Sequence, residues 1–69
     1  MNPRQQTAEI IRAELVHSDS VLIPENTLQT FLRASGADLS LEASHLAREN
    51  GWNVTRTPAR HWLFERKPS

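Results

Sequence analysis

There is no cysteine in this chain, and that single absence excludes both disulfides and thiolate metal sites. Glycine occurs only twice, as Gly36 and Gly51, so the glycine-rich loop that cradles a nucleotide phosphate cannot be built. No apolar run approaches the roughly 18 residues a membrane-spanning helix needs. The amino-terminal stretch Met1-Asn2-Pro3-Arg4-Gln5-Gln6 lacks the apolar centre of a secretory signal. The three histidines, His17, His45 and His61, share no ligand spacing, so neither a metal nor any other cofactor is expected. No serine, histidine and acid fall into a nucleophile pattern. These absences argue against an enzyme, against a membrane partner and against a small-molecule ligand. They make a cytoplasmic or nucleoid-associated setting the expectation.

What remains is a chain of 69 residues, read as a single domain over 1–69. That length lies near the lower limit for folding on one core. Only 38% of the residues are hydrophobic, so the two tryptophans, two phenylalanines and the Leu/Ile/Val set must nearly all be used inside. So small a core leaves little room for an enclosed substrate cavity. Net charge is zero, but it is unevenly spread. Residues 1–39 carry three arginines against five acids, and residues 40–69 carry five basic residues against three acids. The modest positive end supports a polyanion partner on one face.

Along the chain, Pro3 suits the first turn of a helix capped by Asn2. Ala8, Ile11 and Leu15, flanked by Ile10 and Val16, give the amphipathic stripe. That helix should stop near His17, before the turn cluster Ser18-Asp19-Ser20. Val21-Leu22-Ile23 reads as a small buried strand. Pro24 then opens a second helix with Glu25 in its first turn and Leu28, Phe31 and Leu32 on its apolar face; Gly36 is the expected stop. Ala37-Asp38-Leu39 reads as a tight connection. A third helix over Leu41–Asn50 follows, capped by Ser40 or alternatively by Asp38 and ended by Gly51 in a left-handed conformation. Trp52–Arg56 and His61–Glu65 have the alternating, aromatic and β-branched character of strands.

The resulting order, helix, strand, helix, helix, strand, strand, predicts a mostly helical α+β fold. Its topology and spacing resemble the winged helix-turn-helix superfamily of DNA-binding domains, from Pro3 to Arg66. Leu28–Ser35 matches the positioning helix, Ser40–Asn50 the recognition helix, and Thr57-Pro58-Ala59-Arg60 a very short wing. The resemblance implies a third helix in the DNA major groove and a wing on the backbone. Two narrower likenesses are present. Thr57-Pro58 followed by Trp62 resembles the wing of Z-nucleic-acid-binding domains, although this chain has no tyrosine at all. Asn50-Gly51-Trp52 with Arg56, Arg60 and Trp62 is similar to the small winged ends of phage and plasmid replication proteins.

Sorting the third helix by face puts Leu39, Ala43, Leu46, Ala47 and Asn50 inward. Leu41, Ser44, His45 and Arg48 point outward, with Ser40 at the tip. Arg48 either forks to a guanine edge or phosphate or is a solvated cation, and Ser44 and His45 can donate to either target. Leu41 either meets a thymine methyl or staples the helix start. Arg56 and Arg60, flanking Thr57-Pro58, are phosphate candidates or merely keep the hairpin soluble. Glu42 and Glu49 flank this surface and would repel phosphate. Helix-dipole stabilisation by Glu42, pairing with an arginine, or contact with cytosine amino groups would each account for them. Trp52, Trp62 and Phe64 are read as core rather than as a base-stacking platform.

The expected DNA-binding set is therefore Ser40, Leu41, Ser44, His45, Arg48, Arg56, Thr57 and Arg60. The leading expectation is a sequence-specific double-stranded DNA-binding protein, a transcription regulator of phage or mobile-element type. It would act as a homodimer joined through the first helix, with half-sites one helical turn apart. The alternatives are a winged-helix module that binds protein, and an accessory domain of a replication or recombination protein.

Overall fold

A computed structural model describes residues 2–67 of the protein; Met1, Pro68 and Ser69 lie outside the described residues. The elements are α1 (Pro3–Leu15), β1 (Ser20–Pro24), α2 (Glu25–Leu32), α3 (Gly36–Asn50), β2 (Trp52–Arg56) and β3 (His61–Arg66). The α+β class and the element order are those expected from the sequence. The three strands form one antiparallel sheet in the order β1-β3-β2, and the helices cover one of its faces.

Helix α1 begins as its first residues dictate. The Asn2 side chain accepts the Gln5 N–H at 2.8 Å, and Pro3 fills a position whose missing donor costs nothing. Its inward stripe is Thr7, Ala8, Ile11 and Leu15. The buried Thr7 hydroxyl is satisfied by donating to the Pro3 carbonyl at 2.8 Å. Ile11, Leu28, Leu39, Leu46 and Phe64 are fully enclosed, so each of the three helices and the central strand sends a side chain to the middle. Each such burial contributes about 1.5–3 kcal/mol. Trp52 and Trp62 are buried in the same cluster, as the need for apolar mass in so short a chain requires.

Three boundaries differ from the sequence reading. Helix α2 ends at Leu32, because Arg33 adopts the left-handed conformation (φ 54) and reverses the chain there, so Gly36 is not its stop. Gly36, itself at φ 58, instead opens α3 from an extended Ser35, and the Leu39 N–H reaches back to the Ser35 carbonyl at 3.3 Å. The stretch Gly36-Ala37-Asp38-Leu39 is thus the first helical turn rather than a connection. Neither Ser40 nor Asp38 is the cap; Asp38 sits in the first turn, where the helix dipole favours a carboxylate. Starting the helix early brings Leu39 into register with Ala43 and Leu46 in the core. Third, Val21-Leu22-Ile23 is not a buried strand. It belongs to an edge strand with one face in solvent, where alternate residues must point outward: Ile23 is buried while Leu22 is 56% exposed.

Candidate nucleic-acid interface

Helix α3 carries the candidate surface and owes its orientation to its apolar stripe. Burying Leu39, Ala43, Leu46 and Ala47 forces Leu41, Ser44, His45 and Arg48 to the opposite side at 3.6 residues per turn. All four are exposed, as is Ser40. Leu41 is 59% exposed, a large apolar side chain standing free among polar ones. Among the described residues no ion pair involves Arg48, so its fork is available to an anion.

The two flanking glutamates are accounted for by α1. The Arg4 guanidinium donates to Glu42 at 3.3 Å and lies 3.3 Å from Glu49. Seven residues apart, these acids share the side of α3 that faces α1, so one arginine pairs with both there and offsets half of their charge. Sequence reasoning named pairing with an arginine as one option but did not identify Arg4. The signal was weak, because the partners are 38 or more residues apart along the chain.

The hairpin that joins β2 to β3 is compact. The Arg60 N–H donates to the Thr57 carbonyl at 3.1 Å and the Thr57 N–H to the His61 carbonyl at 2.8 Å. Pro58 occupies the second position of this turn, where its fixed φ is favoured. Arg60 then takes φ 61, the left-handed residue that completes a bulged three-residue loop. The Thr57 hydroxyl accepts the His61 N–H at 3.2 Å, so Thr57 is half-buried and spent on the turn. The tip is also tied down: the Glu25 N–H, at the start of α2, donates to the Arg60 carbonyl at 2.9 Å. This loop does not project as a long wing.

Arg56 is engaged. Its Nε donates to Glu25 at 2.6 Å, and the Trp62 indole N–H donates to the same carboxylate oxygen at 3.2 Å. The hydrogen bond from Arg56 holds the Glu25 carboxyl below its ordinary range. Burial opposes the shift, while the Trp62 bond and the charges of Arg56 and Arg60 add to it. Reciprocally, Glu25 raises the Arg56 pKa. Ser40 and Arg56 both line a depression of about 260 Å³ with Glu25, Gly36, Leu39 and Trp62. The structure therefore joins Ser40, Leu41, Ser44, His45 and Arg48 on one helix face with Arg56 at its edge. Arg60 is exposed on the hairpin tip.

Among the described residues no group of His, Cys, Asp or Glu is placed to hold a metal ion, and no helix is long and apolar enough to cross a membrane. No family model matches the chain, and no similar protein was found among curated sequences or solved structures.

Proposed function

We propose that this protein is a small winged-helix protein that binds double-stranded DNA, with α3 entering the major groove and the Thr57–Arg60 hairpin on the sugar-phosphate backbone. The observation that carries the reading is the division of charge on α3: Arg48 stands unpaired on the outer face while Glu42 and Glu49 lie on the flank, where both pair with Arg4 and half of their charge is offset. A zero net charge is then no obstacle, because a groove meets the local surface rather than the sum. In this reading Arg48, Ser44 and His45 supply hydrogen bonds to base edges or phosphate, Leu41 supplies apolar contact to a thymine methyl, and Arg60 contacts phosphate. The role is that of a transcription regulator of phage or mobile-element type.

The test is a titration with short duplexes at low and raised salt, followed by amide chemical shifts. Binding should weaken with salt, shifts should concentrate on Ser40 to Arg48, and Arg48→Glu should abolish binding in a folded protein. No binding at low salt overturns the reading.

A second reading is favoured by one specific feature. Arg56 is already held by Glu25, and Leu41 presents an apolar side chain on the same surface; both suit a module whose α3 face docks on protein. In that case Leu41→Lys, rather than Arg48→Glu, would remove function. An accessory role in replication or recombination uses the same DNA contacts and is separated from regulation by gene neighbourhood.

A further inference from the structure

The free edge of β1 carries no charged residue, and its proline stands only at its end. In an antiparallel ladder, residues alternate between turning their N–H and C=O towards the neighbour and turning them away. Both ends of β1 reveal the phase. The Arg66 N–H donates to the Asp19 carbonyl at 3.2 Å, and the Glu25 N–H donates to the Arg60 carbonyl at 2.9 Å. These pairs continue the register of Val21 with Phe64 and Ile23 with Trp62. The odd-numbered residues therefore spend their backbone groups on β3, and Ser20, Leu22 and Pro24 point theirs outward. Among the described residues, no loop or side-chain hydrogen bond uses those outward groups.

Three properties select the occupant of this edge. First, the strand reads Ser20-Val21-Leu22-Ile23-Pro24 with no charge, so of the usual guards of a solvent edge it has its short length and a terminal proline but no lysine or other charge within the ladder. The opposite edge, β2, carries Arg56 and Asn53 and packs beside α3. Second, β1 is complementary to itself. A two-fold axis through Leu22 lets that residue exchange both backbone groups with Leu22 of a second copy, and sets each Ser20 N–H against a Pro24 carbonyl. Proline, which has no N–H to offer, then stands at the end of the ladder. Third, Leu22 lies beside Leu63 on the outer sheet face, so pairing gathers leucines from both copies into one row. Asp19 and Glu25 would approach across the ends, but each is already held by an arginine at 2.6 Å.

We propose that β1 is a homodimer seam, joining two copies edge to edge into one continuous antiparallel sheet. The inference goes beyond the DNA reading and stands whether or not the chain binds DNA. It also moves the dimer away from α1, where the exposed apolar residues Ile10 and, at the C-cap, Val16 are six positions apart and lie on different sides of the helix. A seam of one short strand falls below the roughly 1,200 Å² of a standard interface, so association in the micromolar range is expected.

Sedimentation velocity from about 10 µM to about 1 mM should show a concentration-dependent dimer. Hydrogen exchange at the Leu22 amide should slow over the same range. Leu22→Lys and Ser20→Pro, the latter removing an outward donor, should each shift the dissociation constant towards monomer by at least about tenfold without lowering the melting temperature measured well below the dimer's dissociation constant. Ile10→Lys should dimerise normally. A monomer at the highest concentration, a Leu22 amide indifferent to concentration, or a dimer lost in Ile10→Lys and kept in Leu22→Lys would each overturn the proposal.

Discussion

Arg60→Gly separates what the chain's backbone wants from what its surface does. Arg60 sits at φ 61, and the left-handed region costs an L side chain roughly 1–2 kcal/mol. Glycine enters it without that cost, but its freer unfolded chain gives back about 0.5–1 kcal/mol. The backbone bonds to Thr57 and from Glu25 survive the change. The net expectation is a gain of about 0.5–1 kcal/mol, which for a domain of this size raises the melting temperature by about 2–8 °C. If Arg60 also meets a phosphate, its loss makes the slope of log affinity against log salt shallower by about 0.9. Thermal melts and duplex titrations at several salt concentrations read the two effects separately. Arg33→Gly, at φ 54, is the control: it should gain similar stability without changing the slope. A fall in melting temperature for Arg60→Gly would refute the backbone reasoning, and an unchanged slope would remove Arg60 from the interface.

The other predictions concern the groups that hold the surface in place. Glu25→Gln should flatten the acid limb of stability: a carboxyl whose folded pKa is lowered stabilises above its unfolded value, about 4.3, and loses that contribution as pH falls through the folded value. Urea midpoints across that range check it, and a wild-type-like acid limb in the variant would contradict it. Arg4→Ala should cost no more than about 1 kcal/mol of stability, yet weaken duplex binding by releasing Glu42 and Glu49. Restoration of binding by a second change, Glu49→Gln, would tie the loss to charge. Leu46→Ala should cost about 2–5 kcal/mol, because the side chain is fully buried, and chemical denaturation should find the variant largely unfolded.

The sequence was most legible where local chemistry and the core agreed. Asn2-Pro3 set the start of α1, Gly51 ended α3 at φ 73, and the alternation of Trp52–Arg56 and His61–Glu65 placed both strands. It misled where two local signals competed. Gly36 looked like a helix stop, but the left-handed turn is made at Arg33, a residue with no propensity for it, because Leu32 and Leu39 must both reach the core. Leu22 looked buried because an apolar triplet cannot show on its own which of its faces meets helices. The outward set on α3 followed from periodicity alone. The roles of Arg4, Glu25 and Arg56 did not, since each depends on a partner more than thirty residues away.

Those long-range pairs also decide how much binding one copy can deliver. Arg4, Arg56 and Arg66 are used against Glu42, Glu49, Glu25 and Asp19. Of the acids outside these pairs, Glu9 and Glu14 lie on α1 and Glu65 on the outer sheet face, leaving only Asp38 on α3. The cations left to the α3 face and hairpin tip are then Arg48 and Arg60. In the DNA reading, at most two phosphate contacts by these arginines correspond to a salt slope of about −1.8, a small electrostatic contribution for a single domain. If this surface binds DNA, a second copy would add to that affinity, and the proposed seam at β1, on the strand farthest from β2 in the sheet, would bring one in without consuming Arg48 or Arg60. If the DNA reading holds and the protein stays monomeric, its affinity for any duplex should be weak and only mildly salt-dependent.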